Sequence, residues 1–361
     1  MPRPFELSDP KRARQLADVI ASLAPSTPVK IVHVCGTHEM AITQHGLRRF
    51  LPKNVEILEG PGCPVCVTPT ADIDAAVQIA EAGAILCTFG DMTRVPGTRL
   101  TLEQARSKGC DIRVVLSAAE ASNIAKETDR AVVFFAVGFE TTTPMTAAVL
   151  VNEPPANFSV LVSHKKIPEA MAVLLSMPGT NIHGYLAPGH VSTILGMAPY
   201  AKQLDLFKIP IVIGGFEPLD ILYAIALILR QLRNGQGFVE NGFPRGVADE
   251  GNITAQRLIA RVFESTDVQW RGIGVIPDSG YRLREEFARF DARLRFHIEG
   301  KTGDERIPGC RCADVLTARA TPADCPLFRA RCTPLSPVGP CMVGSEGACS
   351  IWYRYGGREL P

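Results

Sequence analysis

Residues 131–144 read AVVFFAVGFETTTP. Seven apolar residues follow one another, and Gly138 then opens a loop of Phe139, Glu140 and three threonines ahead of Pro144. A strand with one wet face alternates apolar and polar side chains. A continuous run of this length, closed by a turn, belongs to a strand covered on both faces, as in parallel sheets with helices packed on either side. The theme recurs in both directions. Upstream lie VKIVHV (29–34), VEIL (55–58), AILCTF (84–89) and DIRVVLS (111–117). Downstream lie FSVLVS (158–163), IHGYLAP (182–188) and IPIVIGG (209–215). Helical patterns follow, among them DIDAAVQIAEAG, PEAMAVLLSM and PLDILYAIALILRQL.

Eight such strand–loop–helix units, joined by right-handed crossovers, define an α/β protein. Grouped four and four, they predict two lobes of parallel sheet flanked by helices, over 29–130 and 131–235, joined near 125–131. One larger sheet or barrel is the alternative. A helical segment, 1–28, precedes them. After residue 236 the character changes: NGQGFVENGFPRG reads as loop, NITAQRLIARVF as helix, and 271–361 as Pro-, Gly- and Cys-rich chain with little periodicity. A segment so poor in apolar pattern is better stabilised by a bound metal centre than by burial. The third domain, 236–361, is therefore expected to be a smaller Cys-rich iron–sulfur part.

The chain has 361 residues, 46% hydrophobic and 21% charged, too long for one core. Lys and Arg number 38 against 37 Asp and Glu, so no basic excess points to nucleic acid. The amino end lacks the apolar core of a secretory signal, and ILYAIALIL (221–229) is too short to span a bilayer. A cytoplasmic location, away from membranes, is the expectation. Eleven cysteines in a reducing compartment point to metal binding or thiol chemistry rather than structural disulfides. Five fall between 35 and 110 and six between 310 and 349, a clustering that scattered core cysteines would not produce.

In open parallel sheets, ligands bind at the loops that leave the carboxyl ends of the strands. Those loops carry Cys35-Gly36-Thr37-His38-Glu39, Gly60-Pro61-Gly62-Cys63-Pro64-Val65-Cys66, Phe89 to Gly97, and Gly138 to Pro144. Cys35 precedes a helix, where the helix dipole and His38 would favour thiolate, the form that attacks or binds soft metal. His33 reads as a core histidine, and Cys87 and Cys110 as core or surface thiols. Cys63 and Cys66 stand before the helix start Thr68-Pro69-Thr70, the placement of a redox dithiol. A zinc clip would need a second ligand pair, and no neighbouring pair supplies one. Glu299-Gly300-Lys301-Thr302 is similar to the tail of a phosphate-binding loop, but Arg295 stands where its first Gly belongs.

Six tail thiols without histidine suit either four-thiolate zinc or a [4Fe–4S] cluster. The wide gaps of 12, 6 and 16 residues between Cys312, Cys325, Cys332 and Cys349 favour iron–sulfur.

CGTHE (35–39), GPGCPVCVTP (60–69), FGDMTRVPG (89–97), GFETTTP (138–144) and the Cys-rich tail together resemble the HypD family of hydrogenase maturation factors, nearly end to end. The tail's MVGSEG departs from the family's usual MVSSEG. The resemblance implies two α/β lobes with a cluster-bearing third part. It also implies a scaffold for the Fe(CN)2CO unit of [NiFe] hydrogenase. Cys35 would hold the iron jointly with the N-terminal cysteine of a HypC-type chaperone, with His38 beside it. A HypE-type partner would deliver cyanide as a protein-bound thiocyanate. Cys63 and Cys66 would supply the two electrons that cleave it, and the tail cluster would re-reduce them, as in ferredoxin–thioredoxin reductase. Asp91, Arg94 and Glu140 are candidates for positioning and proton transfer, or simply stabilise their loops. Cys312, Cys325, Cys332 and Cys349 are the preferred cluster ligands, with Cys310 and Cys341 as substitutes. Two other readings stay open: a generic thiol–disulfide oxidoreductase, and a non-enzymatic zinc scaffold.

Overall fold

A computed structural model describes residues 9–299 and 307–356. All eight apolar runs form strands: β1 (Val29–His33), β2 (Val55–Glu59), β3 (Ile85–Thr88), β4 (Ile112–Val114), β5 (Val132–Gly138), β6 (Phe158–His164), β7 (Gly184–Pro188) and β8 (Ile211–Gly214). All seven residues of β5 are buried, which is why its sequence does not alternate.

The strands divide between two parallel sheets, but not by order in the chain. One sheet runs β2-β1-β7-β8-β9, where β9 is Val239–Asn241, and the other runs β4-β3-β5-β6. The division expected near 131 falls inside a sheet, since β3 pairs with β5 directly. The chain leaves the first sheet after β2, builds the whole of the second, and returns at β7. Strand count and type follow from local pattern; partner choice depends on which apolar faces meet. β9 lies in a stretch expected to be loop, where three half-buried residues extend the ladder beside β8.

The first sheet packs against the helix Pro218–Arg233, which the helix Pro10–Leu23 covers from outside. ILYAIALIL is apolar nearly all round because it sits between those layers, each buried Leu or Ile adding about 1.5–3 kcal/mol. Among the described residues, no helix is long and apolar enough to cross a membrane. The expected helix after 252 forms (Ile253–Val262, capped by Asn252). An antiparallel hairpin, β10 (Phe263–Trp270) and β11 (Gly274–Leu283), follows it in chain expected to lack regular structure. A register shift between Thr266 and Val268 blurs its alternation. The Cys-rich tail then lays short helices, Cys312–Leu316, Pro340–Val343 and Ala348–Tyr355, against the α/β body. Gly300, Lys301 and Thr302 of the rejected phosphate-loop reading lie outside the described residues.

Candidate functional site

Cys35 ends the extension of β1 and occupies the N-cap position of the helix Gly36–Gln44. It lines a pocket of about 670 Å3 into which the carboxyl ends of strands from both sheets converge. Gly62 lies so close that a Cβ there would stand 2.2 Å from the Cys35 nitrogen. The first and second strand loops are therefore in backbone contact, as only glycine permits. Phe89 and Asp91, Phe139 and Thr142, and His190 complete much of the wall. The tail contributes Glu346, packed so tightly over Gly36 that a Cβ there would meet the Glu346 Cβ at 2.4 Å.

The electrostatics of Cys35 differ from the expected thiolate. Burial pushes its thiol up to about 12, and the Glu346 carboxyl adds to the rise. The backbone N–H groups of His38 and Thr37 act the other way without prevailing. Glu346 is itself raised, by burial first. His38 adds no positive charge. Burial pulls it down to about 3, and its Nε2 bonds the Gly215 carbonyl at 3.0 Å. His190, in the first turn of the helix Gly189–Leu195 that follows β7, is the imidazole that lines the pocket; it stacks on Phe216, whose ring also lies 5.0 Å from the His38 ring at a 30° tilt. Among the pocket's described lining residues, His38 is absent.

The neighbouring Glu39 explains the rigidity of this helix. Its buried carboxylate accepts from Thr43, from both terminal nitrogens of Arg48 and from Trp352 Nε1 at 2.7 Å, and bonds His33 Nε2 at 2.8 Å. Burial alone would raise Glu39, but Arg48 and His33 outweigh it and hold the group ionised. His33 is thus a core histidine, and Trp352 pins the last tail helix to the Cys35 helix.

Cys63 and Cys66 form a disulfide, both fully buried, on the short helix Pro64–Val67. Pro64 and Val65 line the pocket, while the sulfurs lie behind them towards the tail: Cys66 Sγ is 3.9 Å from the Pro340 carbonyl. The other loop candidates hold the tail or a helix in place. Asp91 accepts from the Ser345 backbone at 2.8 Å and its hydroxyl at 2.9 Å, and Arg94 donates to the Pro334 carbonyl at 3.0 Å. Glu140 is fully buried and accepts from Ile167 N at 3.0 Å, leaving Oε2 unpartnered. Burial pushes it up to about 8. Cys87 is a core thiol.

In the tail, Cys325, Cys332, Cys341 and Cys349 are buried, and Cys310 and Cys312 are partly exposed. The Cys341 thiol donates to Cys312, which lowers Cys312 and raises Cys341. Cys310 is raised to about 12 by burial and then by Cys312, Cys325 and Cys332. Cys349 is raised by burial and by the charges of Cys312, Cys310, Cys332 and Cys325. Charges on neighbouring tail thiols thus act on Cys310, Cys341 and Cys349, which places the tail sulfurs around a single space. Among the described residues, no three His, Cys, Asp or Glu side chains stand in a ready-made metal-binding arrangement. Sequence reading missed Glu346 and His190. His190 stands just past the end of β7, where the strand-end logic applied to the first five strands would have singled it out, whereas Glu346 lies in the turn after the tail helix Pro340–Val343, follows no strand and carries no such signal.

Two parallel sheets that aim their strand ends at one cysteine, beside a buried CxxC disulfide and a tail of further thiols, define a cysteine-rich α/β protein. The chain matches the family described as the HypD "Hydrogenase formation hypA family" over residues 11–356. It is 45% identical to the hydrogenase maturation factor HypD of Azotobacter vinelandii over 97% of this chain and 96% of that protein. It is 42% identical to HypD of Cupriavidus necator over 99% and 98%, and 41% identical to HypD of Rhodobacter capsulatus over 98% of each. The chain belongs to the HypD family of hydrogenase maturation factors.

Proposed function

We propose that this protein is a redox scaffold on which the Fe(CN)2CO unit of [NiFe] hydrogenase is assembled, in a cytoplasmic complex with a HypC-type chaperone and a HypE-type cyanide donor. The observation that carries the reading is the backbone contact between the Cys35 and Gly62 loops, which joins a pocket cysteine to a buried CxxC beneath one lid from the tail. The cargo iron is held by Cys35 and a cysteine of the chaperone. A thiol held up at about 12 loses its proton only when a metal binds the sulfur, so Cys35 stays unreactive until iron arrives. Glu346, the nearest carboxyl acting on it, takes that proton.

Cleaving protein–S–C≡N to a thiol and cyanide consumes two electrons and one proton. Cys63 and Cys66, as dithiol, release two electrons and two protons and close to the disulfide. One proton is left over, and the cyanide passes to the iron. The tail thiols fit a [4Fe–4S] cluster: they form an all-sulfur set, mostly buried, in which burial and the charges of neighbouring tail thiols raise Cys310, Cys341 and Cys349 in the absence of a cation. When bound, the cluster supplies single electrons that re-reduce the disulfide. Cys312, Cys325, Cys332 and Cys349 are the preferred ligands, with Cys310 and Cys341 as substitutes; the hydrogen bond from Cys341 lowers Cys312 toward thiolate, the form that binds metal.

The test is infrared spectroscopy of the protein co-purified with its chaperone. Bands of iron-bound cyanide and carbonyl are expected, and Cys35→Ala abolishes them. Their absence from the unaltered complex sinks the assembly reading. If Cys35→Ala keeps full dithiol turnover on a generic disulfide while the bands never form, the protein is an oxidoreductase only. A colourless zinc protein would end the electron-relay reading.

A further inference from the structure

His190 borders the Cys35 pocket from the first turn of the helix Gly189–Leu195. Its ring lies flat on Phe216, with centroids 3.8 Å apart and planes 22° from parallel. Among the described residues, no hydrogen bond or ion pair reaches either of its nitrogens. His33, His38, His164 and His183 each spend a ring nitrogen on a neighbour instead. His190 is exposed and held by its face, with both nitrogens unengaged. Phe216, on which it rests, leaves β8 through Gly215 and is itself confined. The His38 ring lies 5.0 Å from it, and Phe243 meets it edge-on at 6.1 Å. Arg245 covers Phe243 at 4.6 Å and binds the buried Asp220 through both terminal nitrogens. A Cβ on Gly189 would stand 2.7 Å from the Gly214 carbonyl oxygen and 3.2 Å from the Phe216 ring. The backbone that carries His190 is therefore pressed against the strand end that carries Phe216.

We propose that His190 carries the proton to the departing sulfur when the protein-bound thiocyanate is cleaved, and that Phe216 positions it. The inference rests on the redox reading above and assigns the one proton that this cleavage consumes. The S–C bond breaks with two electrons from the Cys63–Cys66 dithiol, cyanide leaves, and the imidazolium of His190 protonates the sulfur. One of the two protons that the dithiol releases recharges His190, and the other passes to water. Pro64 and Val65, which stand between the two cysteines in the chain, line the same pocket as His190. Burial lowers His190 below its ordinary value, so the resting ring is neutral and able to accept that proton. A ring held by stacking alone can take a proton at one nitrogen and give one up at the other. The pocket's other titratable side chains are committed elsewhere: Asp91 holds Ser345, Glu346 takes the Cys35 proton, and Cys35 holds the iron. Around Phe216, His38 stays neutral and Arg245 is matched by Asp220.

The experiment uses the whole protein, reduced and kept anaerobic, with an S-cyanocysteine peptide as the probe. Cyanide release is followed in a single turnover. His190→Ala is expected to slow release roughly a hundredfold, the contribution of a positioned general acid. Free imidazole should restore much of that rate by stacking on Phe216 in the vacated space. Phe216→Leu should slow release roughly tenfold by loosening the ring, and Phe216→Tyr, which keeps the stacking face, should return it. In the double variant His190→Ala, Phe216→Leu, imidazole should restore little. A His190→Ala protein that matches the unaltered rate, or that imidazole fails to restore, overturns the proton role. Equal rescue of the single and double variants overturns positioning by Phe216. Both results leave the redox reading intact. An unaltered, reduced protein that releases no cyanide from the peptide overturns that reading, and the proposal with it.

Discussion

Cys35 illustrates how burial reverses what a local motif implies. A cysteine at a helix N-terminus with a histidine three residues on reads as an activated thiolate, yet His38 is neutral and turned to Gly215, and burial with Glu346 dominates. Removing the like charge, Glu346→Gln, should move the alkylation of Cys35 to lower pH, though still above that of an ordinary thiol. Peptide mass spectrometry of iodoacetamide labelling against pH reads this, and an unchanged profile would separate Glu346 from the thiol. Glu140 gives a stability signature. Its ordinary value of 4.5 rises to about 8 in the folded protein, so between those limits the folded state holds a proton that the unfolded chain has lost. Stability should fall as pH rises from about 4.5 to 8, by on the order of a few kcal/mol, and be flat outside that window. Glu140→Gln keeps an acceptor for Ile167 N and should flatten the curve of denaturant midpoint against pH.

At the scale of elements, the site depends on loops that touch. Gly62→Ala should force the GPGCPVC loop away from Cys35, costing roughly 1–3 kcal/mol in the unfolding free energy. Iron loading should fall further than stability does, which metal analysis on folded protein would reveal. Trp352→Phe removes a donor from the buried Glu39 carboxylate and should cost about 1–3 kcal/mol. Limited proteolysis should then release the last tail helix first; a tail as resistant as before would show that Trp352 does not anchor it. The strands were legible because buried β-branched runs closed by Gly or Pro admit few other conformations. The β10–β11 hairpin was not, because a register shift breaks the period, exposed Val275 and buried Ser279 run against the alternation, and cross-strand pairing has no local signature.

Across the whole molecule, the chain visits the first sheet, builds the second, and returns. Residues 29–130, which look self-contained, hold β1 and β2 without β7, and β3 and β4 without β5. That fragment should show no cooperative thermal transition by circular dichroism, because each sheet would expose an unpaired interior edge. A sharp transition would mean the sheets are more independent than their interleaving suggests. The same topology brings strand ends from both sheets to one pocket, with the tail folded over it through Asp91–Ser345, Arg94–Pro334 and Glu39–Trp352.

The amino-acid sequence by itself determined the α/β class, the eight parallel strands, the loops that carry Cys35 and the CxxC pair, and the family to which the chain belongs. Each of these rests on short-range information: the period of apolar residues, turn chemistry, and motifs a few residues long. Only the tertiary structure decided which strands share a sheet, that Glu346 and His190 line the Cys35 pocket while His38 does not, and that Cys312 is hydrogen-bonded to Cys341. Those outcomes depend on faces and charges brought together across as many as 300 residues of chain, where desolvation and partner choice outweigh any local preference.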